Sequence, residues 1–260
     1  MRPAAILCMA IPAAIAGECV AAPPVRALQV PILAYHYVKE PNPESADMEA
    51  QVVVRPAAFS RQMARLSELG YQTVSLFQLW RALNGEGTLP PRSIVITFDD
   101  CCESRHLALS VPILRQHGFV ATFFVVVESI EKSDKFSSWR DVVALASDGM
   151  ELGSHSVHHL NLLDLNKASL REEVGESKRV LESKTGTRVR FFSYPFGMRS
   201  PPIQDAVTEA GYLGAVAMEP GIVSDPAQAL AMPRLAVSGN YKLETFTRLL
   251  TDSPWVRPSR

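Results

Sequence analysis

Ser93-Ile94-Val95-Ile96-Thr97-Phe98-Asp99-Asp100 is the stretch that decides the fold. Its apolar run does not alternate with polar residues, as expected of a strand covered on both faces in a parallel sheet. It ends on two adjacent carboxylates, and paired acids directly after such a strand draw attention to the strand's C-terminal end. Downstream, a helix is expected over about 103–117 and a strand over 119–127. Ser138 caps a helix bearing Trp139, Val142, Val143 and Ala146, and a strand over 150–154 runs into His155. Ser169 and Glu172 read as a capping box, with Leu170, Val174 and Leu181 on one helix face and Gly186 as terminator. Strand 189–194, the Pro201-led helix, strands 213–217 and 232–237, and helix 243–250 follow.

Upstream, a strand over 30–35 ends at His36, and the polar, Pro-rich stretch 38–55 reads as a long loop. Pro56 opens a helix with Phe59, Met63 and Leu66 on one face, and Ser75 caps another bearing Leu76, Leu79 and Leu83. Strand followed by helix, about seven times over, predicts a parallel α/β fold. At 260 residues an irregular (β/α) barrel of about seven parallel strands is favoured over an open sheet. No glycine-rich phosphate fingerprint follows any strand, so a nucleotide site is not expected.

Composition narrows the function classes. The chain is 47% hydrophobic with a formal net charge of −1, and has no basic block to neutralise phosphates, which excludes nucleic acid as the expected partner. Arg2, the apolar run 4–16 and the small residues Cys19-Val20-Ala21-Ala22 form the pattern of a secretory signal peptide over 1–22, with an apolar run too short to span a bilayer. A Pro/Ala-rich linker over 23–29 and a single domain over 30–258 would follow, in a secreted or periplasmic protein. Without the leader, only the adjacent Cys101 and Cys102 remain. They give no disulfide framework, and small-residue packing is preferred to a thiol ligand for them.

In a barrel of this kind active sites form at the C-terminal strand ends. Asp99 and Asp100, His155, Tyr194-Pro195-Phe196-Gly197 and His36 all lie at such ends. Adjacent carboxylates on extended chain point in different directions, so one can bind a cation while the other faces a substrate. His155 and His159 are four apart and share a face if the chain turns helically there. One carboxylate and two imidazoles would leave positions open on a divalent metal. Taken singly, the acids could be a solvated turn and the histidines a surface loop; their conjunction at strand ends favours a site.

Thr97-Phe98-Asp99-Asp100, His155-Ser156-Val157-His158-His159 and Phe192-Ser193-Tyr194-Pro195-Phe196-Gly197 resemble, in order and spacing, motifs of the polysaccharide deacetylases (NodB-homology domain, carbohydrate esterase family 4). Pro31-Ile32-Leu33-Ala34-Tyr35-His36 is similar to that family's first strand. The resemblance implies a distorted (β/α) barrel that hydrolyses acetamido groups on an N-acetylated polysaccharide. It implies Asp99 as general base and Asp100, His155 and His159 as ligands of one divalent ion, zinc or else cobalt or nickel. His158 is the competing third ligand, and the family spacing selects His159. Tyr194, Pro195, Phe196 and Gly197 would border the substrate and its oxyanion. That motif, with Pro233-Arg234, is most similar to the branch acting on poly-N-acetylglucosamine, which implies envelope or exopolysaccharide-secretion partners.

Three features depart from the pattern. Cys101 and Cys102 follow the acids where glycine and an aromatic residue are common. Ser193 stands where an arginine often steadies the base, and Arg234, at the end of a later strand, could replace it or form a structural salt bridge. No histidine lies after His159, so His36 is the candidate general acid, with His158 second; bracing the barrel rim is the other reading for His36. A hydrolase of small amides and a non-catalytic glycan-binding relative remain as alternative functions.

Overall fold

In the computed structural model, which describes residues 28–42, 47–101 and 103–252, the run from Ser93 lies at the centre of a parallel sheet. The expected leader over 1–22, most of the linker, Cys102 and residues 253–258 lie outside the described residues. Seven parallel strands make the barrel wall: β1 (Ile32–Tyr35), β2 (Ser93–Cys101), β3 (Thr122–Val125), β4 (Glu151–Ser154), β5 (Phe191–Ser193), β6 (Gly214–Val216) and β7 (Leu235–Ala236). Their order is β7-β1-β2-β3-β4-β5-β6, and the two-residue strand Gln72–Thr73 pairs with the start of β2. Leu235 pairs with Leu33 of β1, while Met232, three residues earlier, forms a parallel bridge with Val216 of β6. One segment therefore spans the seam, and the sheet curls into the irregular barrel expected from the strand–helix alternation.

Two-residue periodicity sorts the strand side chains. Ile94, Ile96 and Phe98 of β2 face outward into a core shared with the helices, whereas Val95 joins an inner cluster with Ile32, Phe124, Phe191, Val216 and Met232. By the same alternation Thr97 and Asp99 face inward above Val95. The outer core receives Phe59, Met63 and Leu66 from the helix Pro56–Glu68, Leu107, Val111 and Leu114 from Ser104–Gln116, and Ile203 and Val207 from Pro201–Glu209. Leu76 and Leu79 of the helix Leu76–Leu83 join the inner cluster and plug the barrel floor. That helix is fastened by the Glu151 carboxylate, which accepts from Leu76 N at 2.8 Å and Phe77 N at 3.2 Å. Gly153 is dictated by close approach: a Cβ there would lie 2.4 Å from the Phe124 ring inside the barrel.

Two local expectations are corrected. The stretch 38–55 is not a plain loop: it holds the helix Asp47–Val52 and the strand Val53–Val54, paired with Tyr37–Val38. Tertiary packing outweighs the polar composition there. Val53 and Val54 are buried, and Gly239 donates to Gln51 O at 3.1 Å, so close that a Cβ on it would meet Val53 O at 1.9 Å. The helix expected to be capped by Ser169 begins three residues earlier. Asn166 Oδ1 accepts from Ala168 N and Ser169 N at 2.9 and 3.0 Å, and Asn is among the strongest N-caps. That helix then loosens into a π-helical turn, Glu172–Glu176, before the helix Ser177–Thr185 and its left-handed Gly186 cap.

Candidate active site

The two aspartates sit on a β-bulge. Phe98 pairs with Phe123, but the next partners are Cys101 and Val125, so β2 carries one residue more than β3 across this interval. The extra residue is accommodated by Asp100 at φ 50°. Asp99 keeps the inward direction, while Asp100 opens to the mouth. Cys101, buried in the outer core, packs as the small-residue reading expected.

Asp99 is 3% exposed and Arg234 1% exposed. Their contact is bidentate, with Arg234 Nη1 donating to Oδ1 at 2.8 Å and Nη2 to Oδ2 at 2.6 Å. The guanidinium also donates to Thr97 Oγ1 at 3.1 Å, Ser193 Oγ at 3.2 Å, Met218 Sδ at 3.2 Å and the Ala217 carbonyl at 2.9 Å. Burial alone would raise the Asp99 pKa. The Arg234 charge and hydrogen bonds, with lesser pulls from His155 and His36, instead hold it well below the usual carboxylate range. Arg234 immediately precedes β7 and is not at a strand's C-terminal end, and its long, fully buried side chain reaches Asp99. Ser193 is the gap it fills: the short side chain leaves room for a guanidinium arriving from another strand.

Asp100, His155 and His159 form the second group. Asp100 Oδ1 lies 3.5 Å from His155 Nε2 and 3.2 Å from His159 Nε2, and the three donor atoms all fall within 4.8 Å of one another. His155 Nδ1 donates to the Ser193 carbonyl at 2.7 Å, which leaves the Nε2 lone pair facing Asp100. Burial pushes the His155 pKa down, favouring the neutral ring that a metal requires. Donor chemistry, spacing and tautomer thus fit a divalent ion.

The loop carrying these rings is held in an unusual backbone. Ser156 and His159 have φ of 68° and 58°, and Ser156 Oγ accepts from His159 N at 2.9 Å. Among the described residues six non-glycine positions have positive φ, and Asp100, Ser156, His159 and Phe196 are four of them. Left-handed non-glycine residues cost about 1–3 kcal/mol each and persist where surrounding structure imposes them, commonly at functional sites. His158 is not gathered with the trio. It is half exposed, and its Nδ1 pairs with the buried carboxylate of Glu173.

The motif after β5 divides its labour. Tyr194 and Pro195 are buried, and the Tyr194 hydroxyl donates to Leu230 O at 2.8 Å, so neither side chain reaches the mouth. Phe196 is 61% exposed at φ 58°, with its ring 4.6 Å from that of His159. Gly197 continues the turn at φ 70° against Met218. His36 sits half-buried beyond β1, near enough to Asp99 to pull on its proton affinity. Sequence reasoning missed Glu173, and it read Ser156 only as a member of the motif, not as the acceptor for His159 N; the backbone geometry that recruits them has no composition of its own.

The family model for polysaccharide deacetylases matches residues 86–215, half of the chain, with the bulge, the histidine loop and the Tyr194–Gly197 turn all inside the match. The chain belongs to the polysaccharide deacetylase family. Its class is therefore that of a hydrolase. YxkH of Bacillus subtilis strain 168, which carries the name of a polysaccharide deacetylase, is 26% identical over 210 residues, covering 81% of this chain and 72% of that protein. The poly-β-1,6-N-acetyl-D-glucosamine N-deacetylase of Escherichia coli K12 is 24% identical over 88% of this chain, which spans only 39% of that enzyme's length. The Streptococcus pyogenes deacetylase PplD, solved in complex with acetate, superposes with a TM-score of 0.79 at 23% identity, over 86% of this chain and 99% of that one, and shares the fold.

Proposed function

We propose that this polysaccharide deacetylase removes N-acetyl groups from a poly-N-acetylglucosamine-type exopolysaccharide with the help of one divalent ion, releasing acetate. The supporting observation is the separation of the two carboxylates: Asp99 is engaged by Arg234, and Asp100 faces His155 and His159. Asp100, His155 and His159 would hold the ion, zinc or else cobalt or nickel. When bound, such an ion supplies Lewis acidity toward the acetamide carbonyl and lowers the pKa of water towards about 7. Arg234 keeps Asp99 ionised and aimed, and Asp99 takes the proton of the attacking water. The backbone N–H of Phe196 donates to the developing oxyanion. His36 gives a proton to the nitrogen as the C–N bond breaks, leaving a free amine on the sugar and acetate as products.

The apolar rim favours a glycan over a small amide. The exposed large hydrophobic residues among those described are Leu160, Leu163, Phe196 and Met198, all on the loops after β4 and β5, and they suit the apolar face of a sugar ring better than a closed pocket would. The full Asp99–Arg234 pair speaks against a non-catalytic relative. Export through the segment 1–22, and work beside envelope or exopolysaccharide-secretion components, complete the proposal. No helix among the described residues is long and apolar enough to cross a membrane. Acetate release is the test, measured on β-1,6- and β-1,4-linked N-acetylglucosamine oligomers and peptidoglycan, before and after chelation. Release from the β-1,6 oligomer that stops on chelation and returns with zinc is expected. Undiminished release after exhaustive chelation refutes the metal role, and no release from any of these glycans refutes the function.

A further inference from the structure

The loop 155–159 is held from beneath by one side chain that the mechanism does not use. Glu173 is 4% exposed, yet its carboxylate has several donors around it. Oε2 accepts from Val157 N at 3.1 Å and His158 N at 2.9 Å, and Oε1 pairs with His158 Nδ1. These groups lie between His155 and His159, in the stretch whose Ser156 and His159 are left-handed. Backbone ties also hold the loop on its other side, where His155 N donates to Val125 O and Val127 N and Glu128 N donate to Ser156 O and Val157 O.

Glu173 belongs to the π-helical turn Glu172–Glu176. A π turn adds one residue to a helical circuit and frees a carbonyl from the regular ladder. Here Val174 O is taken by the Tyr212 hydroxyl at 3.1 Å and by Ser177 Oγ at 2.9 Å, both in the core. Ser177 Oγ in turn accepts from Ser154 Oγ at 2.8 Å, at the end of β4 directly before His155. The irregular turn is thus built into the core and joined to the strand that delivers the first histidine.

We propose that Glu173 is a positioning residue for the metal site: the π-helical turn aims its carboxylate at the Val157 and His158 amides and so fixes His155 and His159 at ligand spacing. This rests on the reading of Asp100, His155 and His159 as ligands. The supporting shell around metal ligands typically contributes about 10–100-fold in affinity.

Zn²⁺ binding to chelator-stripped protein, read by competition with a chromophoric chelator, tests it without an activity assay. Glu173→Ala is expected to weaken Zn²⁺ affinity about 10–100-fold. Glu173→Gln keeps one acceptor oxygen for the two amides and should lose an intermediate amount, about 3–10-fold. His158→Ala removes only the half-exposed ring and should stay within about 3-fold of the wild type. Should Glu173→Ala fail to fold, judged by circular dichroism of the stripped protein, the order of Glu173→Gln below His158→Ala decides. Wild-type affinity in a folded Glu173→Ala or in Glu173→Gln, or a larger loss in His158→Ala than in Glu173→Gln, overturns the inference alone. A wild-type protein that binds no Zn²⁺ overturns the metal reading beneath it.

Discussion

Replacing Arg234 by methionine keeps an unbranched apolar stem, shorter than arginine's, and removes the charge and its N–H donors. The Asp99 carboxylate, 3% exposed, would then have no counter-ion, and Thr97 and Ser193 would lose a donor. Breaking a buried, hydrogen-bonded ion pair from one side costs about 3–5 kcal/mol, because the remaining charge stays desolvated and unpaired. Asp99→Asn strands the guanidinium at 1% exposure and should cost a similar amount. Against a total of about 5–15 kcal/mol for a domain, either loss is severe. The double variant Asp99→Asn/Arg234→Met removes both charges together, so its loss should fall well below the sum of the singles, with a coupling energy of roughly 2–3 kcal/mol. Urea unfolding of the four metal-free proteins at pH 7.5, followed by circular dichroism, closes the cycle. The double variant should also be inactive despite its recovered stability, separating fold from chemistry. Single variants that each cost less than about 1 kcal/mol and add to give the double would show that the pair is not a desolvated unit, and the reasoning would fail.

The adjacent aspartates should part company in metal binding: Asp99→Asn is expected to keep Zn²⁺ while activity falls about 10²-fold or more, and Asp100→Asn to lose Zn²⁺ with partial rescue by added metal. Equal metal loss in both, measured by elemental analysis, would merge them into one ligand cluster. His106 supplies a pH prediction. It is fully buried, accepts from Val38 N at 2.9 Å through Nδ1, and burial pushes its pKa down to about 3. Between pH 6.5 and 3 the unfolded chain therefore binds a proton that the folded chain refuses. Stability tied to this residue is complete above pH 6.5 and is lost as pH falls, by about 2 kcal/mol at pH 5. His106→Asn, whose Oδ1 can still accept from Val38, should flatten that part of the acid slope in unfolding experiments at pH 7.5 and 5; an unchanged slope would place the acid sensitivity elsewhere.

What could be read in advance was local. The apolar run into Asp99, the Ser75 and Ser138 caps and the Gly186 stop each carry their cause within a few residues, and each stands in the structure. The arginine partner of Asp99 was harder, because it lies 135 residues away, just before a two-residue strand. Only the vacancy left by Ser193 hinted that a cation had to arrive from another strand. Ser169 misled because two plausible caps stand three residues apart, and Asn166 captures two amides. The helix Asp47–Val52 hid in a polar stretch because Gly239, almost two hundred residues on, supplies its seat. Glu173 was invisible because a π-helical turn is set by Tyr212 and Ser177, not by its own five residues.

The seam segment from Met232 to Ala236 imposes an order on the birth of the enzyme. During synthesis the aspartates and both histidine rings emerge long before Arg234, and every wall strand but β7 precedes it. Until that arginine arrives, Asp99 has strong reason to stay in water, so the upper interior of a nascent barrel should remain wet and open. Closing the wall and neutralising the buried acid both depend on the same short segment. A chain stopped short of residue 234 would carry the acid and imidazole groups of the site and still lack the buried cation beside Asp99, so hydrolytic competence should report that synthesis has passed Arg234.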